Sequence, residues 1–431
     1  MTLRRVTPRQ APVGTGRSWT IRTARRTARR TARRSVTVLT ALGTLAGAAL
    51  VGGTPAGAAP GWTAVAPGVT YRQYDVTAAA GVTHVHLLSA DLTDAHVRLG
   101  LLSPGAVAAR DTVSHMAGRQ KAVAGVNGDF FNISEAQHPG VAPTGASVGP
   151  AIADGRILKG AVPDAQRFGP ALPPGTHTTA VLGVGADGRA HLDDLSLTGS
   201  VVIAGRRTPL GGLNQYALPE NSVGAYTRVW GSASRVRATC GSDTERAAPC
   251  SADTYEVTVR HGRVVSASAR PGSGPVAFGT TVLVGREAGA QRLRALAEGA
   301  RVSVRYALTS GRGVAYRFAL GGYPVLSGGQ PLPGLDTRAS AVRTAVGLAH
   351  GGRTVYLVAL DGARSYRTGM TIAEVAHLLA GLGATEGFSL DGGGSSTLVA
   401  RPPGAASVTV RNHPSDGSER PVANGIGVFT R

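Results

Sequence analysis

Glycine and proline interrupt this chain so often that long helices are excluded over most of its length. Its 431 residues include 61 Gly and 25 Pro, which together make up about one residue in five. Glycine loses much conformational entropy when it is ordered, and proline can neither continue a helix nor donate to a central strand, so both concentrate in turns. The pattern predicts an α+β, β-rich fold of mixed sheets with a few helices.

The formal net charge of +20 raises nucleic acid as a partner, but the charge is unevenly distributed. Residues 1–58 contain eleven Arg and no Lys, Asp or Glu. The remaining 373 residues carry 34 basic and 25 acidic side chains, a net charge of +9. We therefore expect no nucleic-acid partner. Charged residues at 16% and hydrophobic residues at 42% exclude global disorder.

Residues 1–58 have the organisation of an export signal. A repeated Arg-Arg tract is followed by an apolar stretch from Val36 to Val51 and by Ala56-Gly57-Ala58, a small-residue pattern that signal peptidase accepts. We predict cleavage between Ala58 and Ala59 and a secreted, extracellular protein, exported by the Sec route or, through Arg33-Arg34, by the twin-arginine route. An uncleaved anchor and a basic nucleic-acid-binding arm are the alternatives.

Residues 59–431 are predicted to form one domain with a β-rich, variable middle part at about 139–310. No uninterrupted apolar run reaches the roughly 18 residues of a membrane-spanning helix, so we expect no stable membrane span after cleavage. Strands are expected between Trp62 and Leu102, and a helix capped by Asp111 should bury Val113, Met116 and Ala117. A second helix is expected near 288–297, and the clearest one covers 372–382.

Cys240 and Cys250 are the only cysteines of the chain, and export would place them in an oxidising compartment. A short-loop disulfide is therefore predicted, and two free thiols would be favoured only if the protein were not exported. No spacing of His or Cys resembles a zinc site. The sequence predicts no metal site and no cofactor, with a divalent cation as the open alternative.

The segment from Asp391 to Thr397 is the sharpest candidate for a functional site. Three consecutive glycines between two predicted strands can adopt positive φ angles, so that successive backbone N–H groups converge on an anion. Hydroxyl groups and a carboxylate adjoin them. We predict that Asp391 is catalytic and that substrate is bound by Gly392, Gly393, Gly394, Ser395, Ser396 and Thr397. A flexible hairpin loop is the alternative; a P-loop is excluded because no Gly-Lys-Ser/Thr follows.

Two further carboxylates are candidate catalytic groups. Residues 345–348 and 355–360 are predicted to form a hairpin. Asp361 ends its second strand, although Asp-Gly is also an ordinary turn pair. Glu374 could supply the second carboxylate that a glycosidase needs. It also fits a capping box with Thr371 as the N-cap, which is the stronger interpretation for Glu374.

Three more residues are predicted to bind substrate. Asn127 and Asp129 follow a buried strand over 123–126 and precede two phenylalanines, so they could meet sugar hydroxyls; a structural turn is the alternative. Arg343 stands before another buried strand and could pair with phosphate if it faces the glycine segment. No histidine has an obvious serine partner, so a serine-hydrolase triad is not supported.

Taken together, these segments resemble the phosphodiester glycosidase family over about residues 69–429. The elements that match the family, in its order, are Val126-Asn127-Gly128-Asp129-Phe130-Phe131, Gly321-Gly322-Tyr323-Pro324-Val325-Leu326, Arg343-Thr344-Ala345-Val346-Gly347, Asp361-Gly362, Gly369-Met370-Thr371, Glu374-Val375-Ala376, Leu390-Asp391-Gly392-Gly393-Gly394-Ser395-Ser396-Thr397, Pro414-Ser415-Asp416 and Asn424-Gly425-Ile426-Gly427-Val428. Val342 replaces a frequent Pro, Asp129 replaces a frequent Gly, and Arg364 is displaced by one position from the family's Asp-Gly-Arg.

The resemblance implies a hydrolase that cleaves the sugar C1–O bond of a sugar-1-phosphodiester and releases a sugar and a phosphomonoester. Its partners would be sugar phosphates or anionic glycans of the cell envelope or the extracellular space, and it favours no particular oligomeric state. Two other functions remain open. One is a non-catalytic protein that binds anionic glycans or assists exopolysaccharide assembly on the same scaffold, and the other is a phosphodiesterase that cuts P–O.

Overall fold

The computed structural model describes residues 61–203, 205–363, 365 and 369–431. The predicted export signal and its cleavage site, and also Arg364 and Arg367, lie outside the described residues. The strands expected between Trp62 and Leu102 are present. The N-terminal part contains β1 (Thr63–Ala66), β2 (Val69–Ala78), β3 (Gly81–Asp91), β4 (Val97–Leu102), α1 (Val113–Gln120) and β5 (Ala124–Asn127).

The middle part consists mainly of short strands, as its frequent glycines predict. It contains β6 (Ala151–Ala153), β7 (Arg156–Lys159), β8 (Ala180–Gly185), β9 (Ala190–Ile203), β10 (Arg206–Pro209), β11 (Gly212–Leu213), β12 (Val223–Tyr226), β13 (Thr254–Arg260), β14 (Arg263–Ser268), β15 (Thr280–Arg286), α2 (Ala288–Arg294) and β16 (Val302–Ser310). Helix α2 lies where a helix was predicted and is shorter than expected.

The C-terminal part supplies the remaining strands and the longest helix. It contains β17 (Tyr316–Gly321), β18 (Tyr323–Ser327), β19 (Gln330–Pro331), β20 (Thr344–Ala349), β21 (Thr354–Leu360), α3 (Ile372–Gly381), β22 (Glu386–Ser389), β23 (Leu398–Ala400), β24 (Thr409–Val410) and β25 (Gly425–Thr430). The predicted hairpin is formed by β20 and β21, which pair antiparallel from Thr344–Ala359 to Ala349–Thr354.

The strands form four sheets, which confirms the β-rich α+β class. The strand orders are β1-β2-β3-β21-β20-β22-β18-β19, β10-β9-β8-β17-β6-β7 with β16 also paired to β9, β11-β12-β15-β13-β14, and β24-β23-β5-β25-β4. Among the described strand pairs, only β11 and β12 are parallel, so one of the four sheets is mixed and the other three are antiparallel. Within the described part of the chain, no helix combines the length and apolar character needed to cross a bilayer.

The central strands of the eight-stranded sheet are buried on both faces. Along β3, Val85 and Leu87 pack in the same core cluster as the buried side of α3, whereas Leu88 and Ala90 pack in a cluster with β4, β5 and β25. Since successive strand residues point to opposite faces, both faces must be apolar, and the sequence of β3 has this character. This sheet therefore lies between α3 and the C-terminal five-stranded sheet.

The caps of two helices differ in how well the sequence predicted them. Asp111 does not cap α1: the N-cap is Thr112, whose hydroxyl accepts the N–H of His115 at 3.3 Å. The Asp111 carboxylate instead accepts the N–H of Thr112. The predicted buried face of α1 is confirmed. Helix α3 begins after Thr371, the predicted N-cap.

Candidate functional site

Asn127 joins three of the segments singled out in the sequence. Its side-chain amide donates to the carbonyl of Asp391 at 2.7 Å. Its side-chain oxygen accepts the hydroxyl of Thr344 at 2.7 Å and the N–H of Thr397 at 3.1 Å. The residue is fully buried. Asn127 therefore positions the other segments, and its predicted role in substrate binding remains a prediction.

Asp391 lies at the centre of this arrangement and carries the most unusual carboxylate. Its side chain is partly buried, and its backbone N–H donates to the carbonyl of Gly128 at 2.9 Å. Burial raises the pKa of Asp391 to about 6, although hydrogen bonds from Ser395 and from the N–H of Gly392 and the cation of Arg420 act in the opposite direction. A carboxyl group with this pKa exchanges its proton close to neutral pH, as a general acid or base must.

The three glycines do not form the convergent N–H site that their run predicts. Of the three, only Gly393 has a positive φ, at 60°. Most N–H groups of the segment donate within the protein: Gly392 to the Asp391 carboxylate, Gly393 to Val342, Ser395 to Gly392, Ser396 to Gly393 and Thr397 to Asn127. The expectation of an anion held by successive backbone N–H groups is therefore wrong for these five positions.

Close packing explains two of the three glycines instead. A Cβ atom on Gly392 would lie 2.7 Å from the carbonyl oxygen of Val342. A Cβ on Gly394 would collide with the carboxylate of Asp416 and the guanidinium of Arg420, which form an ion pair. The segment is thus pressed between the strand that follows Val342 and the C-terminal polar turn. Close packing therefore accounts for Gly392 and Gly394, whereas the positive φ accounts for Gly393, where a Cβ atom would have open space.

The hydroxyl groups of the glycine segment are buried. The hydroxyl oxygens of Ser396 and Thr344 lie 3.1 Å apart, and the Ser395 hydroxyl accepts a hydrogen bond from the Arg420 guanidinium at 3.4 Å. The hydroxyl of Thr397 has no hydrogen-bond partner among the described residues. These contacts place Thr344 and Arg420 next to the predicted substrate-binding residues.

Asp361 is buried between two histidines that sequence reasoning did not connect to it. Its Oδ2 lies 2.9 Å from Nδ1 of His413 and 3.5 Å from Nε2 of His86. Burial favours a higher pKa for Asp361, but hydrogen bonds from His86, His413 and the N–H of Ala363 dominate and hold the pKa well below its ordinary value. Asp361 is therefore ionised throughout the neutral range.

His86 links Asp361 to Tyr71. The hydroxyl of Tyr71 lies 2.7 Å from Nδ1 of His86. Burial lowers the pKa of His86, although the hydrogen bond to Asp361 opposes this. From the sequence, His84 and His86 share one strand face and are predicted to be exposed or structural, but His86 is buried. The sequence of β3 could have indicated that His86 is buried, because this residue falls between core positions of a strand with two apolar faces.

The polar turn after β24 connects Asp361 to the glycine segment. The N–H of Gly362 donates to the carbonyl of His413 at 2.7 Å. Two residues later, the Ser415 hydroxyl donates to the carbonyl of Gly393 at 3.3 Å. The turn thus brings Asp361 and Asp391, two of the predicted catalytic residues, into one connected region.

Glu374 is occupied by a structural role. One of its carboxylate oxygens accepts the N–H of Thr371 at 2.8 Å, and the Thr371 hydroxyl accepts the N–H of Glu374 at 3.2 Å, which completes the capping box. The other oxygen accepts the N–H of Ala79 at 2.7 Å, in the turn between β2 and β3. The hydrogen bond from Ala79 is the main reason that the pKa of Glu374 is lowered. The capping interpretation is confirmed, and both oxygens are occupied by contacts that a catalytic carboxylate would have to release.

Arg343 lies beside the glycine segment with spare hydrogen-bonding capacity. Its Nε donates to the carbonyl of Met370 at 3.1 Å and its Nη2 to that of Ala339 at 2.7 Å. No carboxylate of the described residues lies within ion-pair distance of its guanidinium. Burial lowers the pKa of Arg343, yet an arginine remains charged at any physiological pH. This cation can receive an anionic group.

Asp129 is buried, and backbone groups occupy both of its carboxylate oxygens. They accept the N–H of Phe130 at 2.8 Å and that of Gly149 at 2.6 Å. Burial raises the pKa of Asp129, opposed chiefly by the cation of Lys159. Lys159 is itself buried, and desolvation lowers its pKa to about 7. These contacts support a structural turn at Asp129, and its role in substrate binding remains a prediction.

The predicted disulfide is present between Cys240 and Cys250, with an S–S distance of 2.01 Å. His138 lies close enough to both sulfur atoms to form a potential metal-ligand group with them. Because the sulfur atoms are bonded to each other, they are not thiolate ligands, and this group does not provide a metal site in the oxidised protein.

A cleft of about 850 Å³, lined by Arg98, Arg119 and Phe429 among others, contains none of the predicted site residues.

The comparison with protein families bears on this site directly. Residues 253–429 match the family described as phosphodiester glycosidase. The resemblance to the phosphodiester glycosidase family is confirmed over these residues, which make up less than half of the chain. The matched residues include Arg343, Asp361, Glu374 and Asp391, whereas Asn127 and Asp129 precede them. None of the curated proteins matches the chain.

Solved structures share the fold over most of the chain. A hypothetical protein from Synechocystis matches with a TM-score of 0.64 and 20% identity over 85% of this chain, which spans 62% of that protein's length. A protein of Burkholderia pseudomallei, named as a candidate exported protein, matches with a TM-score of 0.62 and 26% identity over 82% of this chain and 76% of that one. The catalytic domain of zebrafish N-acetylglucosamine-1-phosphodiester alpha-N-acetylglucosaminidase gives a TM-score of 0.42 and 15% identity, over 84% and 83% of the two chains.

Proposed function

We propose that this protein is a secreted phosphodiester glycosidase that hydrolyses the C1–O bond of sugar-1-phosphodiesters in cell-envelope or extracellular glycans. One observation carries the proposal. Within the range that matches the phosphodiester glycosidase family, Asp391, with a pKa of about 6, belongs to the same hydrogen-bonded region as Arg343, a cation without an ion-pair partner among the described residues. Such a region suits an acid–base step beside a phosphate group.

The chemistry requires little help for the leaving group. As the C1–O bond breaks, the oxygen keeps the electron pair and departs as a phosphomonoester anion, which is a good leaving group, so a strong general acid is not needed. Arg343 binds the phosphate and stabilises its growing charge. Water attacks C1 and transfers its proton to Asp391, which later releases it to solvent. Asp361, held ionised, orients His86 and His413.

Two features support secretion. The Cys240–Cys250 disulfide is typical of oxidising compartments, and one structural relative is named as a candidate exported protein. Both agree with the predicted export signal at residues 1–58. The anionic substrates proposed here are compatible with the net charge of +9 on residues 59–431.

The decisive experiment is incubation of the purified protein with sugar-1-phosphate alkyl diesters and nucleotide sugars. We expect release of free sugar and phosphomonoester, and we expect Asp391→Asn to abolish it while the circular dichroism spectrum is unchanged. In ¹⁸O-labelled water, the label should enter the sugar. Label in the phosphate would instead identify a phosphodiesterase, and full activity of Asp391→Asn would remove Asp391 from the mechanism.

A non-catalytic glycan-binding protein is the second candidate function, and the geometry of Glu374 favours it. With Glu374 occupied by the helix cap, Asp391 and Asp361 are the only predicted catalytic carboxylates left among the described residues. This alternative predicts saturable binding of an anionic glycan, without release of sugar from any of the substrates. Turnover by the wild-type protein that is lost in Asp391→Asn would exclude it.

A further inference from the structure

Tyr323, at the start of β18, places an unsatisfied hydroxyl in the protein interior. The side chain is buried, and its hydroxyl makes no well-formed hydrogen bond among the described residues. Burial raises the pKa of Tyr323, and the nearby Ser389 side chain opposes this shift. Its ring stacks on that of Phe130, with the centroids 5.7 Å apart. A buried hydroxyl without a partner is destabilising, so this group calls for a ligand or another explanation.

Two arginines interact electrostatically with the Tyr323 phenol. They are Arg343, already described, and Arg167. The Cζ atom of Arg167 lies 5.3 Å from the centroid of the Phe130 ring and 5.8 Å from that of Tyr323. Among the described residues, no carboxylate lies within ion-pair distance of Arg167. Its guanidinium donates to the carbonyl of Pro170. The main charge of opposite sign that acts on it is that of Asp129, whose oxygens already accept backbone N–H groups.

The surrounding chain holds Arg167 in place. The carbonyl of Gln166 accepts the hydroxyl of the buried Tyr216 at 2.9 Å, and the Gln166 amide donates to the carbonyl of Ser242 at 2.6 Å. The guanidinium of Arg246 donates to the carbonyl of Arg167 itself. Ser242 and Arg246 belong to the loop closed by the Cys240–Cys250 disulfide. Arg167 is therefore preorganised by a disulfide-bonded loop.

Two largely buried cations beside an unpaired hydroxyl are unfavourable without an anion, because a desolvated charge needs a partner. Phosphate suits these groups chemically, because its oxygens accept hydrogen bonds from guanidinium groups and from a phenol. We propose that Arg167, Arg343 and the Tyr323 hydroxyl together bind the phosphate of the substrate. The inference rests on the proposed function for the identity of the substrate, and it assigns Arg167 and Tyr323 roles that the sequence did not indicate.

The experiment measures binding of inorganic phosphate to the purified protein by titration calorimetry, which does not depend on turnover. Arg167→Met keeps the length of the side chain and its contact with the aromatic rings but removes the charge. We expect it to weaken phosphate binding about 10- to 100-fold, as for loss of a charge-assisted hydrogen bond. Arg167→Lys should recover part of the affinity. Arg312→Met, at an exposed arginine paired with Glu386, controls for net charge and should bind as the wild type does.

Tyr323→Phe separates ligand binding from structural support. Because the hydroxyl makes no well-formed hydrogen bond among the described residues, its removal should leave the melting temperature unchanged or raise it, while phosphate binding weakens. Wild-type affinity in both Arg167→Met and Tyr323→Phe, or no phosphate binding by the wild type, would overturn the inference.

Activity assays distinguish this inference from the proposed function. If sugar-1-phosphodiesters are hydrolysed, Arg167→Met should raise KM for the diester. Hydrolysis with unchanged KM and unchanged phosphate affinity in the variant would refute the inference alone. Phosphate binding that depends on Arg167, in a protein that hydrolyses none of the diesters, would refute the proposed function alone.

Discussion

The side-chain amide of Asn127 donates to the carbonyl oxygen of Asp391 at 2.7 Å, although the two residues stand 264 positions apart. Asn127→Asp would replace this donor with an oxygen that faces another oxygen. Since Asn127 is fully buried, we expect a loss of about 2–4 kcal/mol in the free energy of unfolding, together with reduced activity. Urea denaturation measures the first effect. Asn221→Asp, at an exposed position, is the matched control. Equal stability of the two variants would show that the hydrogen bond from Asn127 to Asp391 does not stabilise the fold.

The pKa of Asp391 predicts the pH dependence of activity. If Asp391 accepts a proton from water, it must be ionised, so kcat/KM should rise about tenfold per pH unit below about 6 and level off above it. The profile of kcat/KM between pH 4.5 and 8 measures this directly. An acid limb with a midpoint near 4 would indicate that another carboxylate controls the reaction.

The same carboxylate should make the folded protein less stable as pH rises. The pKa of Asp391 is raised from 3.8 to about 6, so between these pH values the native state holds a proton that the unfolded chain has lost. The free energy of unfolding therefore decreases as pH rises through this range. Asp391→Asn should therefore be more stable than the wild type at pH 7, by about 1–3 kcal/mol. Chemical denaturation of both proteins at pH 4 and pH 7 tests the sign. Lower stability of Asp391→Asn than of the wild type at pH 7 would contradict a raised pKa for Asp391.

His86 should contribute in the opposite direction. Burial lowers the pKa of His86 below its ordinary value, so at mildly acidic pH the unfolded chain binds a proton that the native state does not. The free energy of unfolding therefore decreases as pH falls below about 6.5. His86→Gln should flatten the difference in stability between pH 7.5 and pH 5 relative to the wild type. His115→Gln, on the exposed side of α1, should leave that difference unchanged. An unaltered pH dependence in His86→Gln would show that His86 is not buried in the neutral form.

Glu374→Gln distinguishes a helix cap from a catalytic group. The variant loses charge but keeps a side-chain oxygen, so we expect a decrease of about 0.5–2 kcal/mol in the free energy of unfolding and little change in kcat. Thermal denaturation and the diester assay measure the two effects. A loss of kcat by two orders of magnitude at unchanged stability would restore Glu374 to the active site.

Periodicity and turn chemistry were enough to predict the elements with strong local signals. The apolar face of α3, the Thr371 cap and the β20–β21 hairpin all follow from residues that are neighbours in sequence. The contacts of Asp361 with His86 and His413 could not be predicted in the same way, because they join three distant segments. The role of the glycines was misjudged for a similar reason: the need for Gly394 arises from Arg420 and Asp416, and a local pattern cannot distinguish close packing from a backbone anion site.

The position of β5 has a consequence for any attempt to isolate the part of the chain that matches the family. In the sheet β24-β23-β5-β25-β4, strand β5 lies between β23 and β25, and it pairs with both. A fragment of residues 253–429 would contain the two outer partners without the strand that joins them, and each would present an unpaired edge. Such a fragment should aggregate rather than fold, so the boundaries of sequence similarity do not mark a piece of protein that can be expressed alone.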